Sequence, residues 1–273
     1  MKILVAHSPD PDDAFMFYAM VKARIDTGPY EFIQTYHDIE TLNRMCMAGE
    51  PDLSAASAAS YPYLWDRYLL MRSGASVGKG YGPVIVAREP LSPSDLKDLV
   101  LAVPGEMTTA FLAARLAVGE FRYTVIPFDR IISAVRSGAA DAGLLIHEGQ
   151  LTYEQEGLFR VLDLGEWWSS ETGLPLVLGV NLVKKDLGPV VISDLSRILS
   201  ESISYALSHS QEALDYAAGF GRGLSTETLE RFVNMYVNRQ TEAMDREALM
   251  GLSELLMRAK EKGLVPDFRL EIV

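Results

Sequence analysis

One cysteine, Cys46, in 273 residues leaves no intrachain disulfide, no CxxC redox pair and no zinc site built on cysteines. Basic residues are scarce as well: 25 Lys and Arg stand against 37 Asp and Glu, a formal net charge of −12. That balance excludes nucleic acid as a partner, because phosphate contacts need a basic footprint. It does not exclude a small anion, since backbone donors act locally while the global field is screened. Long apolar runs are also missing. The longest, GLPLVLGVNLV at residues 173–183, falls well short of the ~20 residues that span a bilayer, so no membrane partner is expected. The opening MKILVAHSPDPDD has one lysine and too few apolar residues for the hydrophobic stretch of a signal peptide. A lone thiol and no export signal make the cytoplasm the expected location. GxxxxGK followed by Ser or Thr, HExxH and a complete GxGxxG are all absent.

What is there reads as α/β. KILVAH is a buried first strand, SPDPDDAF a turn into a helix, YEFIQTYHDI a strand, IETLNRMCMAGE a helix and DLSAAS a short strand. YLLMRSGASVG and GPVIVARE read as further strands. A new unit opens at PLSPSDLKDLVLAVPG, where Ser92 suits an N-cap, Pro93 the first helical position and Asp95 the reciprocal position of a capping box. From there strand LVLAVPG, helix MTTAFLAARLAVG, strand YTVIPF, helix FDRIISAVRSGAA and strand AGLLIH alternate as βαβαβ, which predicts a parallel sheet. GLPLVLGVNLVKK reads as a strand leaving that unit. Beyond it apolar residues recur at three-and-four spacing to the C-terminus, so nearly everything there is helical.

Those C-terminal helices have no sheet of their own to cover. They are expected to fold back on the first unit, giving a discontinuous lobe of residues 1–87 plus 184–273 and an inserted lobe of residues 88–183. The expected fold class is therefore α/β with a two-lobed, periplasmic-binding-protein-like (type II) architecture and a ligand cleft between the lobes.

In open α/β sheets ligands gather at the carboxyl ends of strands, which singles out four segments. In SPDPDDAF, Asp10, Asp12 and Asp13 read as helix caps, since a carboxylate there satisfies free amides. In DLSAASAAS, residues 52–60, small side chains open the backbone to a ligand, and Ser57 offers a hydroxyl beside exposed amides; a tight helix start explains the same spacing. PGEMTTAF, residues 104–111, follows a strand and opens a helix, placing Thr108 and Thr109 where hydroxyls and free amides hold a carboxylate without a lysine. AGLLIH ends in His147, one of only four histidines. An imidazole there can take a proton near neutrality, although His7 ends a strand too, and position alone leaves both readings of His147 open. GASVG at residues 74–78 matches GxSxG around Ser76, but KGYGPVIV follows where that motif needs a helix, so the segment reads as a loop.

Together SPDPDDAFMFYAM, DLSAASAASYPYL, PGEMTTAFLA and AGLLIHEGQLTY, in this order, closely resemble the 1,4-dihydroxy-6-naphthoate synthase family of the futalosine route to menaquinone, over essentially the whole chain. The resemblance implies a carbon–carbon lyase that converts cyclic dehypoxanthine futalosine, a small anionic substrate, to 1,4-dihydroxy-6-naphthoate and dihydroxyacetone. It implies His147 as proton acceptor, substrate contacts at Ala55, Ala56 and Ser57 and at Thr109 and Ala110, and no metal, nucleotide or redox cofactor, which fits the missing motifs. Chorismate dehydratase, a related two-lobed enzyme at the pathway's entry, and a non-catalytic small-anion solute-binding protein are the alternatives. The LLIHEGQLTY segment favours the synthase over the first, and the missing export signal counts against the second. No helix-turn-helix segment or basic face points to a transcription regulator.

Overall fold

A computed structural model describes residues 1–221 and 225–273. Strand β1 (Lys2–His7) ends at the SPDP turn, and Pro11 takes the first position of helix α1 (Pro11–Val21), where a missing N–H costs nothing. Next come β2 (Glu31–Tyr36), α2 (Ile39–Ala48) and β3 (Leu53–Ser57); Asp38 caps α2 by accepting from Thr41 N–H, and Gly49 closes it in the left-handed region at φ 72°. A 3-10 turn over Ala58–Tyr63 leads to β4 (Tyr68–Leu70), β5 (Ser76–Gly78) and β6 (Val84–Ala87). Ser92 and Asp95 form the expected capping box, on a 3-10 turn at Pro93–Asp98. Then follow β7 (Val100–Val103), α3 (Thr109–Val118), β8 (Arg122–Val125), α4 (Ile131–Ser137), β9 (Ala142–Leu145) and a single turn, α5 (Gly149–Thr152). After β10 (Phe159–Asp163) and α6 (Leu164–Thr172), the long strand β11 (Leu176–Lys184) leads into α7 (Pro189–Ser208), α8 (Ser210–Ala218), α9 (Thr226–Tyr236), α10 (Arg239–Glu242) and α11 (Arg246–Glu261).

The strands make two mixed sheets. The first runs β2-β1-β3-β11-β4 with β5 also paired to β11, and the second runs β10-β6-β9-β7-β8. In the second, β7 is parallel to β8 and to β9, as the βαβαβ alternation predicts, while β6 and β10 join antiparallel. Helix α1 shows why its sequence lacks an amphipathic stripe: every residue from Pro11 to Met20 is buried, because α1 lies between the first sheet and helices α7, α8 and α9.

Three expectations need correction. The boundaries at residues 87/88 and 183/184 do not follow the sheets, since β6 belongs to the second sheet and β11 to the first. The Pro-rich stretch after β6 looks like a linker, but β6 is held by β9 and β10, and strand pairing between distant segments leaves no local mark. The last helix does not serve the first lobe alone: Leu252 and Leu256 of α11 pack with Tyr61 and Tyr68, while Leu255 and Ala259 pack with α3 and Trp168 of α6. Residues 159–172 carry β10 and α6, which the sequence reading passed over; the start signal was there in Asp163, whose carboxylate accepts from Gly165 and Glu166 N–H. Gly165 meets the chain where it crosses between lobes, for a Cβ there would lie 2.0 Å from the Tyr81 carbonyl.

Cys46 sits in α2 with no exposed surface, and burial pushes its thiol up to about 11. At pH 8 the native chain is expected to leave a thiol-specific reagent unconsumed and to take up one equivalent only on unfolding. Stoichiometric labelling of the folded protein within minutes would contradict that burial.

Candidate active site

The two sheets enclose a cleft of about 690 Å³, part of it open to solvent. Its walls come from chain segments just past β1, β7 and β9, from the last residues of β3, from the middle of β11, and from Phe232 and Tyr236 of α9. Ala55, Ala56, Ser57, Thr109, Ala110 and His147, the six residues singled out in the sequence, all line it.

His147 follows β9 in the left-handed region at φ 53°, one of two non-glycine residues with positive φ among those described. A conformation that costs of order 1–3 kcal/mol persists only where its surroundings impose it. Gln150 imposes it: oriented by its hydrogen-bond network, the amide accepts from His147 N–H at 3.1 Å through Oε1, and its nitrogen donates to the Gly82 carbonyl and to the Tyr236 hydroxyl. Burial raises Tyr236 far above the usual phenol range, so its hydroxyl stays neutral there. The imidazole stands edge-on to Phe128, centroids 4.8 Å apart, with its side chain 16% exposed. Nδ1 lies 3.4 Å from Oδ2 of Asp10, and Nε2 is buried with no hydrogen-bond partner among the described residues.

Asp10 occupies the N-cap position of α1 but makes no side-chain cap bond; its fully buried carboxylate turns across the cleft to His147 instead. The capping expectation for the aspartates is corrected accordingly. Asp13 accepts from Ser8 N–H at 2.7 Å, and burial raises its carboxyl, with His7 pulling it back. Asp12 is raised well above the usual carboxylate range, by burial first and then by the charges of Asp13 and Asp10.

The two small-residue loops are tied together across the cleft. Ser57 N–H donates to Asn43 Oδ1 at 2.8 Å, and Asn43 Nδ2 donates back to Ser57 Oγ at 3.0 Å. Thr108 caps α3 by accepting from Phe111 N–H. The Thr109 hydroxyl donates to the Leu178 carbonyl at 2.6 Å and accepts from Ala59 N–H at 3.1 Å, so it clasps the two lobes. That corrects the expectation of a hydroxyl kept for ligand. What α3 still offers a ligand is its first-turn amides at Thr109 and Ala110, which lie ahead of its first bond, from Leu112 N–H to Thr108 O. Glu40 completes the clasp by accepting from Met107 N–H at 3.0 Å, seated against Gly105, where a Cβ would lie 2.4 Å from its Oε2.

The sequence reading missed Gln150, Tyr236 and Asn181 as cleft residues, and Asn43 as the partner of Ser57 in the cleft wall. Each lies inside a helix or strand whose local pattern explains it fully, and only the packing brings it to the cleft. Among the described residues, no group of three or more His, Cys, Asp and Glu side chains is placed to hold a metal ion, and no helix is long and apolar enough to cross a membrane.

A family model described as menaquinone biosynthesis matches residues 3–261. The chain is 40% identical over 257 residues, 94% of its length and 93% of the relative's, to the 1,4-dihydroxy-6-naphthoate synthase of Thermus thermophilus. A solved protein structure from Archaeoglobus fulgidus is similar at TM-score 0.92 and 47% identity, covering 97% of this chain and 98% of that one. The alkanesulfonate-binding protein of Xanthomonas axonopodis pv. citri shares the fold at TM-score 0.73 with 10% identity, covering 97% of this chain and 94% of that one. The architecture is thus the two-lobed periplasmic-binding-protein-like one that the element order predicts. By its matched length, its relatives and its four ordered motifs, the chain belongs to the 1,4-dihydroxy-6-naphthoate synthase family of menaquinone biosynthesis.

Proposed function

We propose that this chain is a carbon–carbon lyase that converts cyclic dehypoxanthine futalosine to 1,4-dihydroxy-6-naphthoate with release of dihydroxyacetone, with His147 as general base. The observation that carries the reading is the imidazole itself, with Nδ1 3.4 Å from buried Asp10 and Nε2 buried in the cleft wall without a hydrogen-bond partner among the described residues. A carboxylate at Nδ1 keeps the proton on that nitrogen, leaves the Nε2 lone pair for a substrate hydroxyl and stabilises the imidazolium once the proton has moved. Removing the hydroxyl proton starts a retro-aldol cleavage, and aromatisation of the remaining ring supplies the driving force.

The substrate's carboxylate rests on the first-turn amides of α3 at Thr109 and Ala110, with the small side chains of Ala55–Ser57 lining the opposite wall. These donors require no lysine or arginine, and none lines the cleft among the described residues. His147 belongs to the second lobe and Asp10 to the first, so base and carboxylate meet only with the lobes closed, the state that also excludes water.

The test is incubation of purified protein with cyclic dehypoxanthine futalosine, following products by mass spectrometry. Appearance of equimolar dihydroxynaphthoate and dihydroxyacetone supports the reading. Bound but unchanged compound points instead to a binding protein on the same fold, and turnover of chorismate in its place to the dehydratase.

A further inference from the structure

The cleft holds one more ionisable group, which the base and its carboxylate leave without a task. Asp12, at the second position of α1, is 8% exposed and lines the cleft, and its Oδ1 is buried with no hydrogen-bond partner among the described residues. Its neighbours on the same turn are engaged. Asp10 faces His147, and Asp13 accepts from Ser8 N–H with His7 beside it. The groups around Asp12 are therefore Asp10 and Asp13 on its own helix start, Tyr236 from α9, which Asp12's charge also pushes up, and His147 across the cleft. None is a fixed cation.

We propose that Asp12 is the acid of the reaction: in its neutral form it donates a proton to the oxygen that becomes an enolate as the carbon–carbon bond breaks. This rests on the lyase reading above. The balance closes without a co-reactant. His147 takes the hydroxyl proton and the hydroxyl oxygen becomes the carbonyl of the three-carbon fragment. The carbon–carbon bond breaks, its electron pair moves to the adjoining carbonyl oxygen, and Asp12 protonates that oxygen. The proton held on His147 then returns to Asp12. Burial and the two neighbouring carboxylates raise Asp12 well above the usual carboxylate range, the direction that favours the neutral, proton-donating form. A neutral Asp12 also removes the repulsion that an anionic substrate would meet in a cleft wall without lysine or arginine.

The experiment compares wild type, Asp12→Asn and Asp12→Glu for turnover of cyclic dehypoxanthine futalosine across pH, with melting curves at each pH and His147→Asn alongside. Asp12→Asn is expected to lower kcat about 100-fold with KM changed less than about threefold. It should also abolish the alkaline limb of the kcat profile, where wild type fails because Asp12 has lost its proton. Because the folded chain holds that proton to higher pH than the unfolded chain, wild-type stability falls as pH rises through the raised value. The melting temperature of Asp12→Asn should therefore match wild type near pH 4 and exceed it increasingly above. A purely structural role would lower the melting temperature and leave the limb in place. If wild type turns over, His147→Asn does not, and Asp12→Asn keeps both kcat and its alkaline limb, Asp12 is not the acid and the lyase reading stands. If wild type gives no product, both fall. Should Asp12→Asn fail to fold, Asp12→Glu decides: a reduced kcat with the limb retained supports the acid, and full kcat with the limb lost overturns it.

Discussion

His147→Asn is expected to lower kcat about 10²- to 10⁴-fold, the range that a positioned general base contributes, while the protein folds and binds product as before. Asparagine suits this test because His147 stands at φ 53°, a left-handed conformation that Asn adopts more readily than other side-chain-bearing residues. The backbone N–H that Gln150 accepts from is retained, so the turn after β9 keeps its shape. What disappears is the Nε2 lone pair in the cleft and the imidazole edge against Phe128. Steady-state kinetics and a melting curve check it. A variant that unfolds at the wild-type temperature and turns over at close to the wild-type rate would remove His147 from the mechanism.

Asp10→Asn should produce a loss of similar order, about 10²- to 10⁴-fold in kcat, with KM little changed, because an amide in place of the carboxylate both turns the imidazole to the wrong tautomer and withdraws the charge that stabilises the imidazolium. The substitution is clean for two reasons. Asparagine keeps the size and shape of aspartate, and it is as good an N-cap. Asp10 Oδ2, 3.4 Å from His147 Nδ1, reaches across from the other lobe. The reading that separates positioning from structure is the split between kcat and KM, with the melting temperature near wild type. An unchanged kcat would show that the Asp10–His147 contact carries no catalytic weight.

The elements were legible wherever a strand, a cap or a turn declares itself locally. Ser92 with Asp95, Pro93 at the first helical position and the strand–helix alternation of residues 100–145 were all read from neighbours within a few positions. The cleft loops were legible for the same reason, since small residues after a buried strand mark a place where ligands reach backbone. Asp10 shows where this ends. Its sequence context, an aspartate before proline at a helix start, describes a cap completely, yet its carboxylate serves a histidine 137 positions away. Thr109 errs in the other direction: a hydroxyl that local geometry offers to a ligand is consumed by Leu178 and Ala59.

The sequence by itself determined the α/β class, the two-lobed architecture, the family and the loops that line the cleft, because periodicity, capping and ordered motifs are properties of contiguous residues. Tertiary structure alone decided that β6 and β11 exchange lobes relative to the Pro-rich boundary, that α11 packs against both lobes, and that Asp12 and His147 line one cleft with Asp10 against the imidazole. Strand pairing, helix docking and the burial that raises Asp12 all depend on segments far apart in the chain, and which segments meet is settled by packing the whole core at once.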